Sequence, residues 1–184
     1  HNRVLVDFAK IVDQAAAALA ELHSKGWVHC DVKPDNFLLN DEGQVKLIDF
    51  SISRKAAGGL LGKLFGGQKV TRGTRSYMSP EQIRAKPLDA RADIYSFGCV
   101  LYELLSGKPP FTGITPNELL SKHLNAAPPN VQVQYGNVTP DMAEYLRQLM
   151  SKEAKDRPKT MADVQKRLKA MRIFKAVPRP AAPS

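Results

Sequence analysis

The stretch HCDVKPDNFLL, residues 29–39, places three polar side chains of different chemistry just ahead of an apolar segment. Asp31 supplies a carboxylate, Lys33 an ammonium and Asn36 an amide, and the apolar residues 37–39 follow directly. A second apolar segment, residues 45–48, comes after the turn-forming sequence NDEGQ. Two short apolar runs joined by turn residues predict a β-hairpin. The three polar side chains therefore lie at the start of its first strand.

The hairpin brings a fourth polar residue to the same place. If the two strands pair in antiparallel fashion, Asn36 and Asp49 lie at the same open end, roughly 5–8 Å apart. Their oxygens form a ligand pair suited to Mg²⁺, which prefers hard oxygens and retains sites for substrate phosphates. Asp31 could accept a proton, and Lys33 could neutralise phosphate charge. Together these are the groups that phosphoryl transfer requires.

Composition narrows the function classes. The chain has 184 residues and ordinary apolar content, enough for one buried core. Its net charge of +9 would attract an acidic partner, but we find no interleaved aromatic platform, so specific nucleic-acid binding is not expected.

Cys30 and Cys99 lie far apart in no metal-binding spacing, which argues against a disulfide or zinc site and favours a reducing cytoplasmic compartment. The apolar run 94–105 is too short to cross a bilayer and predicts a buried helix, so any membrane attachment would come from outside this chain.

The remaining chain has helical periodicity interrupted by one long loop. Residues 4–25 predict a single amphipathic helix that ends at Gly26. Residues 51–78 are rich in Gly, Lys and Arg and predict a surface loop. The packed domain is expected to cover residues 1–171, followed by a Pro/Ala-rich tail or linker at 172–184. Further helices are expected at 80–85, 89–105 and 115–124, and two more beginning at Thr139 and Thr160.

The segment HCDVKPDN resembles the catalytic loop of protein kinases, in which His-Arg-Asp is followed by an Asn and, in the Ser/Thr class, by a Lys two residues after the Asp. The resemblance implies a mainly α fold: the large C-terminal lobe of a eukaryotic-like Ser/Thr protein kinase, with a small β-hairpin at the catalytic loop. Weaker similarities near residues 122–129 and in the tail favour a bacterial member. Further segments resemble the family in the same order: Asp49-Phe50-Ser51 (metal motif), residues 73–78 (substrate docking), Ser79-Pro80-Glu81 (end of the activation segment), residues 93–98 (start of the central helix) and Arg157 (partner of Glu81).

The resemblance assigns the chemistry to four residues. Asp31 would orient the substrate hydroxyl and accept its proton, and Lys33 would contact the phosphate transferred from ATP. Asn36 and Asp49 would hold Mg²⁺. Taken alone, Asp31 could equally be a helix cap or a solvated loop charge, and its catalytic interpretation depends on its spacing to the other three.

The resemblance also implies supporting residues. Thr74 would brace the catalytic Asp and Lys, Leu38 would support the adenine, and Phe50 would stack on His29 in an internal spine. Leu38 and Phe50 are core residues under any interpretation, and a lone histidine is more often a buried structural residue than a catalyst.

Four further residues are expected to be structural. Glu81 and Arg157 are predicted to form a buried ion pair that holds the activation segment against the helical base. Asp93 is predicted to cap a helix start and to bond the backbone of the catalytic loop. Cys99, on an apolar helix, is expected to be a core packing residue.

The chain departs from the family pattern in three ways. Cys30 replaces the Arg that would pair with a phosphorylated activation loop, which puts such control in doubt. Ser51 replaces a Gly, which restricts the backbone of the metal motif. The Gly-rich loop and the strand Lys of the small N-terminal lobe are absent, and residues 58–67 match no phosphate-binding loop. We therefore expect the chain alone to be inactive.

Two hypotheses from different classes follow. The first is the catalytic lobe of an ATP- and Mg²⁺-dependent Ser/Thr kinase that acts on protein substrates and is completed by an N-terminal lobe. The second is a pseudokinase-like scaffold that only binds other proteins, which Cys30 and Ser51 make conceivable. In either case the expected location is the cytoplasm, or the cytoplasmic side of a membrane-anchored parent protein.

Overall fold

A computed structural model describes residues 2–56 and 74–179. Within them the chain is mainly α-helical, as predicted, and its strands form two small antiparallel sheets. Single 3-10 turns occur at Pro34–Asn36, Thr74–Tyr77 and Ala154–Asp156. The strands are β1 Trp27–Val28, β2 Phe37–Leu39, β3 Val45–Leu47 and β4 Arg54–Lys55. The helices are α1 Asn2–Val6, α2 Phe8–Ser24, α3 Pro80–Ile83, α4 Ala90–Ser106, α5 Pro116–Asn125, α6 Val131–Gln134, α7 Pro140–Leu149 and α8 Met161–Ala170.

Helix α4 is the centre of the core. Every residue from 92 to 102 is buried, which explains its nearly continuous apolar sequence and confirms the predicted buried helix. The side chain of Asp89 caps its first turn by accepting the Arg91 N–H at 2.8 Å, and Gly107 ends it in the left-handed conformation with φ of 79°. A Cβ at Gly98 would lie 2.9 Å from the Cβ of Leu149, so this glycine allows α4 and α7 to approach closely.

The predicted helix boundaries need three corrections. The first helix is interrupted at Asp7, so residues 4–25 form α1 and α2 and not one helix. Helix α3 ends at Ile83, two residues before the predicted end at Ala85, which has a positive φ of 50° that a helix does not accommodate. The prediction that Asp93 caps a helix start is wrong, because Asp89 occupies the cap.

The smaller sheet was not predicted. Strands β1 and β4 pair in antiparallel fashion, with Trp27 opposite Lys55 and Val28 opposite Arg54. The Ala56 N–H donates to the Gly26 carbonyl at 2.8 Å and extends the pairing. The predicted loop 51–78 therefore begins with a short strand attached to the chain just before the catalytic loop, while residues 57–73 lie outside the described part.

The chain remains packed on the domain beyond residue 171. Phe174 pairs with Val138 in an isolated bridge, and its ring meets the Phe8 ring edge-on at 5.6 Å. The Lys175 N–H donates to the Asn137 carbonyl at 2.7 Å. Among the described residues, no helix combines the length and apolar character needed to span a bilayer.

His123 on α5 is completely buried near the 3-10 turn Thr74–Tyr77, against which α5 packs. Its Nδ1 shares a hydrogen bond of 3.0 Å with the Tyr95 hydroxyl, and its Nε2 has no partner among the described residues. Burial, followed by the charge of Lys152, lowers the pKa of His123 from 6.5 to about 4, and the Ser76 backbone opposes this weakly. The fold therefore contains the neutral imidazole.

We expect this histidine to make stability depend on pH. Because the unfolded chain takes up the proton near pH 6.5 and the folded chain only near pH 4, stability is lost as the pH falls between these values. The free energy of unfolding should be about 2 kcal/mol lower at pH 5 than at pH 7.5. Urea unfolding at both pH values measures this difference. A His123→Gln variant should show a much smaller difference, and an equal difference in the variant would contradict the assignment.

Candidate active site

The predicted hairpin is present, and its open end lies between the residues that the sequence predicts. Strands β2 and β3 pair in antiparallel fashion with Phe37 opposite Leu47, and the Ile48 N–H donates to the Asn36 carbonyl at 3.0 Å. Asn36 and Asp49 therefore flank the same end of the hairpin. Gln14 on α2 fixes the opposite end, because its amide donates to the Gly43 carbonyl at 2.8 Å and accepts the Val45 N–H at 3.1 Å.

Asp31 is at the centre of the site and is only 9% exposed. Its Oδ2 accepts from Lys33 Nζ at 2.7 Å and from Asn36 Nδ2 at 3.2 Å. Asn36 Nδ2 also donates to the Asp31 carbonyl at 2.7 Å. The other carboxylate oxygen, Oδ1, is buried and has no hydrogen-bond partner among the described residues. The structure thus unites Asp31, Lys33 and Asn36 and leaves one oxygen able to accept a hydrogen bond.

The loop that carries Asp31 is held by a second buried carboxylate. Asp93 accepts the His29 N–H at 2.7 Å and the Cys30 N–H at 2.9 Å, as predicted, and also contacts His23 Nε2 at 2.8 Å. The ring of His29 donates through Nε2 to the Ile48 carbonyl at 3.0 Å and accepts the Asp31 N–H at Nδ1 at 3.3 Å. This pattern defines the Nε2–H tautomer. His29 therefore links the catalytic loop to the end of β3.

Asp49 is exposed and adopts a positive φ of 59°, which is uncommon for residues other than glycine. Its Oδ1 accepts the Ser51 hydroxyl at 2.6 Å and the Ser51 N–H at 3.3 Å. These two bonds are the largest causes and lower the pKa of Asp49, burial opposes them, and the nearby charge of Lys33 adds a smaller lowering. The Ser51 substitution thus adds a hydroxyl donor to the carboxylate, and this carboxylate is ionised at neutral pH.

The oxygens at the hairpin end fit a magnesium ion. Both hydrogens of Asn36 Nδ2 are used by Asp31, so the amide orientation leaves Oδ1 as the ligand atom. Asp49 retains its Oδ2. Within residues 2–56 and 74–179, no three His, Cys, Asp or Glu side chains converge on one point. A site with few protein oxygens is what Mg²⁺ uses when substrate phosphates and water complete its shell.

The remaining predicted site residues vary in placement. Leu38 is 53% exposed on β2, so the prediction that it is a core residue under any interpretation is wrong for the chain as described. The same prediction is wrong for Phe50, which is 50% exposed, but its ring lies edge-on to His29 with the centroids 5.3 Å apart, in agreement with the predicted contact. Thr74 begins the 3-10 turn Thr74–Tyr77, but its side chain lies outside the described part, so its bracing role stays a prediction.

Cys30 occupies the position of the missing Arg and is buried. Its thiol contacts the Val28 carbonyl at 3.5 Å. Burial, and then the charge of Asp93, raises the pKa of Cys30 to about 12. The thiol is therefore neutral at physiological pH and offers no cation to a phosphorylated loop.

Two hydrogen bonds anchor Tyr77, the last residue of the 3-10 turn Thr74–Tyr77. The Ser96 hydroxyl donates to the Tyr77 carbonyl at 2.6 Å, and the Tyr77 hydroxyl donates to Glu103 at 2.6 Å. The predicted ion pair is present, since both Glu81 oxygens accept from Arg157, at 2.6 and 2.9 Å. These contacts fix the 3-10 turn Thr74–Tyr77 and α3 to the central helix and to the chain near residue 157.

Sequence reasoning missed two side chains that bond to the backbone of the catalytic loop. Gln82 donates from Nε2 to the Cys30 carbonyl at 2.8 Å, and the Ser53 hydroxyl donates to the His29 carbonyl at 3.3 Å. Gln82 had a recognisable signal, because Ser79 and Gln82 match the Ser-x-x-Gln capping box that starts α3. That pattern predicts the cap, but it does not predict the bond to the catalytic loop.

Comparison with known proteins agrees with this geometry. A family profile described as protein kinase domain matches residues 5–176. The chain is 36% identical over 161 residues to serine/threonine-protein kinase PknB of Mycolicibacterium smegmatis, covering 85% of this chain and 25% of that protein. It is 37% identical over 163 residues to probable serine/threonine-protein kinase PknB of Corynebacterium glutamicum, covering 86% and 25%. The chain thus spans about a quarter of the length of these curated relatives. With its catalytic-loop geometry and a match over nearly its whole length, the chain belongs to the protein kinase family.

Proposed function

We propose that the protein containing this chain transfers the γ-phosphate of ATP to serine and threonine hydroxyls of other proteins. The observation that carries this proposal is the Oδ1 atom of Asp31, buried without a partner in the described residues, beside the Lys33 ammonium. A positioned carboxylate oxygen of this kind is suited to general base catalysis. The names of the PknB relatives support the Ser/Thr class of acceptor.

Each residue has a defined task in this reaction. Asp31 Oδ1 accepts a hydrogen bond from the substrate hydroxyl and then its proton. The hydroxyl oxygen attacks the γ-phosphorus, and ADP leaves. Lys33 lies 2.7 Å from the other Asp31 oxygen and neutralises charge on the transferred phosphate. Asn36 Oδ1 and Asp49 Oδ2 would hold Mg²⁺. Magnesium bound there would neutralise charge on the ATP phosphates.

The exposed apolar side chains near this end of the hairpin support a proposal for where a second lobe would sit. Leu38 is 53% exposed and Phe50 is 50% exposed, and both flank the proposed metal ligands in the sequence. We place the adenine and the N-terminal lobe over Leu38, because burying apolar surface there would close the nucleotide site. A lobe that supplies the Gly-rich loop and a phosphate-binding Lys would complete the enzyme.

We also propose that the chain works in the cytoplasm or on the cytoplasmic side of a membrane. Its two cysteines, Cys30 and Cys99, are both buried and unpaired. Unpaired thiols are typical of a reducing compartment.

The acceptor class can be tested with the full-length protein. We expect it to transfer phosphate from Mg²⁺-ATP to a general protein substrate and to produce phosphoserine and phosphothreonine, identified by mass spectrometry of the products. Phosphotyrosine alone would contradict the Ser/Thr assignment. No transfer by a folded protein would favour the scaffold hypothesis.

A further inference from the structure

The peptide group that precedes Asp31 is unusual in its conformation and in its support. Cys30 has a φ of 69°, a left-handed conformation that a side chain other than glycine disfavours. Such a residue persists only when its surroundings hold it there. Because Asp31 follows immediately, the orientation of this peptide group decides the direction of the Asp31 side chain.

Every backbone polar group around this peptide is bonded to a named partner. The Cys30 N–H donates to Asp93 Oδ1 at 2.9 Å, and the Asp31 N–H donates to His29 Nδ1 at 3.3 Å. The Cys30 carbonyl accepts from Gln82 Nε2 at 2.8 Å. Gln82 thus supplies a side-chain donor to the carbonyl of the peptide that leads into Asp31.

The amide of Gln82 is oriented by its other bonds. The side-chain Oε1 of Gln82 accepts the Ser79 N–H at 3.0 Å and the Ser79 hydroxyl at 3.0 Å. The backbone N–H of Gln82 donates to Ser79 Oγ at 3.3 Å. A flipped amide would bring its oxygen against the Cys30 carbonyl and lose the capping bonds. The cap of α3 therefore directs the amide donor into the catalytic loop.

The bond from Gln82 to Cys30 links α3 to the catalytic loop. A charged pair cannot make this link at residue 30, because residue 30 is a cysteine. Helix α3 follows the substrate-docking segment and is fixed to the core by the Glu81–Arg157 ion pair. The Cys30 thiol is buried and neutral, so residue 30 has no cation with which to bind that segment. The neutral bond from Gln82 joins the two instead.

We propose that Gln82 is a positioning residue of the phosphotransfer reaction, whose amide donor fixes the peptide before Asp31 and thereby aims the Asp31 carboxylate. The inference rests on the proposed kinase function. It assigns the anchoring helix α3 a part in catalysis in addition to its part in folding. No contact between Gln82 and the substrate is required.

The test is a Gln82→Glu variant of the full-length protein. Glutamate retains an acceptor for the Ser79 cap but removes the donor to the Cys30 carbonyl, so the cap should persist while the loop is released. We expect kcat to fall about tenfold or more with the KM for ATP unchanged, since small misplacements of catalytic groups are costly. Gln132→Glu is the matched control, because it removes an amide donor to the Val138 carbonyl, at 2.9 Å, far along the chain on α6. The control should have the wild-type kcat.

A double variant separates positioning from folding. If Gln82 acts through Asp31, adding Gln82→Glu to Asp31→Asn should lower the residual kcat no further, whereas a merely structural role would lower both backgrounds alike. A wild-type kcat in Gln82→Glu would overturn the proposal, as would an equal fall in Gln132→Glu. If Gln82→Glu does not fold, Gln82→Met takes its place, and loss of folding in both would make Gln82 a folding residue and overturn the proposal. An inactive wild-type protein would instead refute the proposed function itself.

Discussion

Replacing Asp31 by asparagine should lower kcat for phosphate transfer by about 10²–10⁴-fold while leaving the fold intact. The Asp31 Oδ2 accepts from Lys33 and Asn36, and an asparagine oxygen in that position can accept the same bonds. Its NH₂ group would then occupy the position of the partnerless Oδ1. An amide nitrogen there cannot accept the proton of a substrate hydroxyl, so the base is lost without a change of shape.

Asp35→Asn is the matched control for this variant. Asp35 lies in the same loop, is exposed, and loses the same charge on substitution. We expect it to retain kcat within about twofold, because a solvated surface carboxylate contributes little to a buried site. Steady-state kcat of both variants and circular dichroism of each protein measure the comparison. Equal rates in Asp31→Asn and the wild type would exclude Asp31 as the base.

Replacing Arg157 by methionine should lower the free energy of unfolding by about 3–5 kcal/mol. The Arg157 side chain is fully buried, and its guanidinium lies 4.9 Å from the centroid of the Tyr95 ring. Its N–H groups donate to both Glu81 oxygens and to the carbonyls of Ser151, Arg91 and Lys152. Methionine would leave a nearly buried Glu81 carboxylate without its charge partner, and that desolvated charge causes most of the loss.

An exposed arginine provides the comparison. Arg147 pairs with Glu144 on the surface of α7, where both side chains are more than half exposed. Because water and salt screen such pairs, Arg147→Met should cost at most about 1 kcal/mol. Urea unfolding of the two variants gives both values. If Arg157→Met were no more destabilising than Arg147→Met, the ion pair would not be the anchor that holds α3.

The catalytic loop could be predicted because its information is local. Asp31, Lys33 and Asn36 lie within six residues, and two short apolar runs with a turn between them define the hairpin that brings Asp49 to the same end. Family spacing added the assignment of roles. Two short apolar runs with a turn signal between them contain enough information to predict such a hairpin.

Contacts between distant residues could not be predicted in the same way. The β1–β4 sheet pairs two strands of two residues each, which is too short to show any periodicity. The Gln82–Cys30 bond joins residues 52 positions apart. The β1–β4 sheet depends on how the segment after Asp49 packs, and the Gln82–Cys30 bond depends on how α3 packs. The local sequence contains no signal for either contact.

The error at Asp93 has a specific physical cause. Asp89 and Asp93 both lie near the start of α4, and either carboxylate could cap a helix. The chain enters the helix at Asp89, whose side chain accepts the Arg91 N–H. Asp93 is one turn inside, where burial forces it to find donors, and the backbone of His29 and Cys30 provides them. Choosing between the two required knowing which residues pack against α4.

Phosphate transfer by the full-length protein is the measurement to make first. The protein would be incubated with ATP and a general Ser/Thr protein substrate in three parallel reactions: wild type with Mg²⁺, wild type with EDTA, and Asp31→Asn with Mg²⁺. We expect phosphoserine and phosphothreonine in the first reaction and almost none in the other two, because the site needs both the Asp31 base and the metal held at Asn36 and Asp49. Transfer of equal extent in all three, or none by a folded wild-type protein, would contradict the assignment of this loop as a phosphotransfer site.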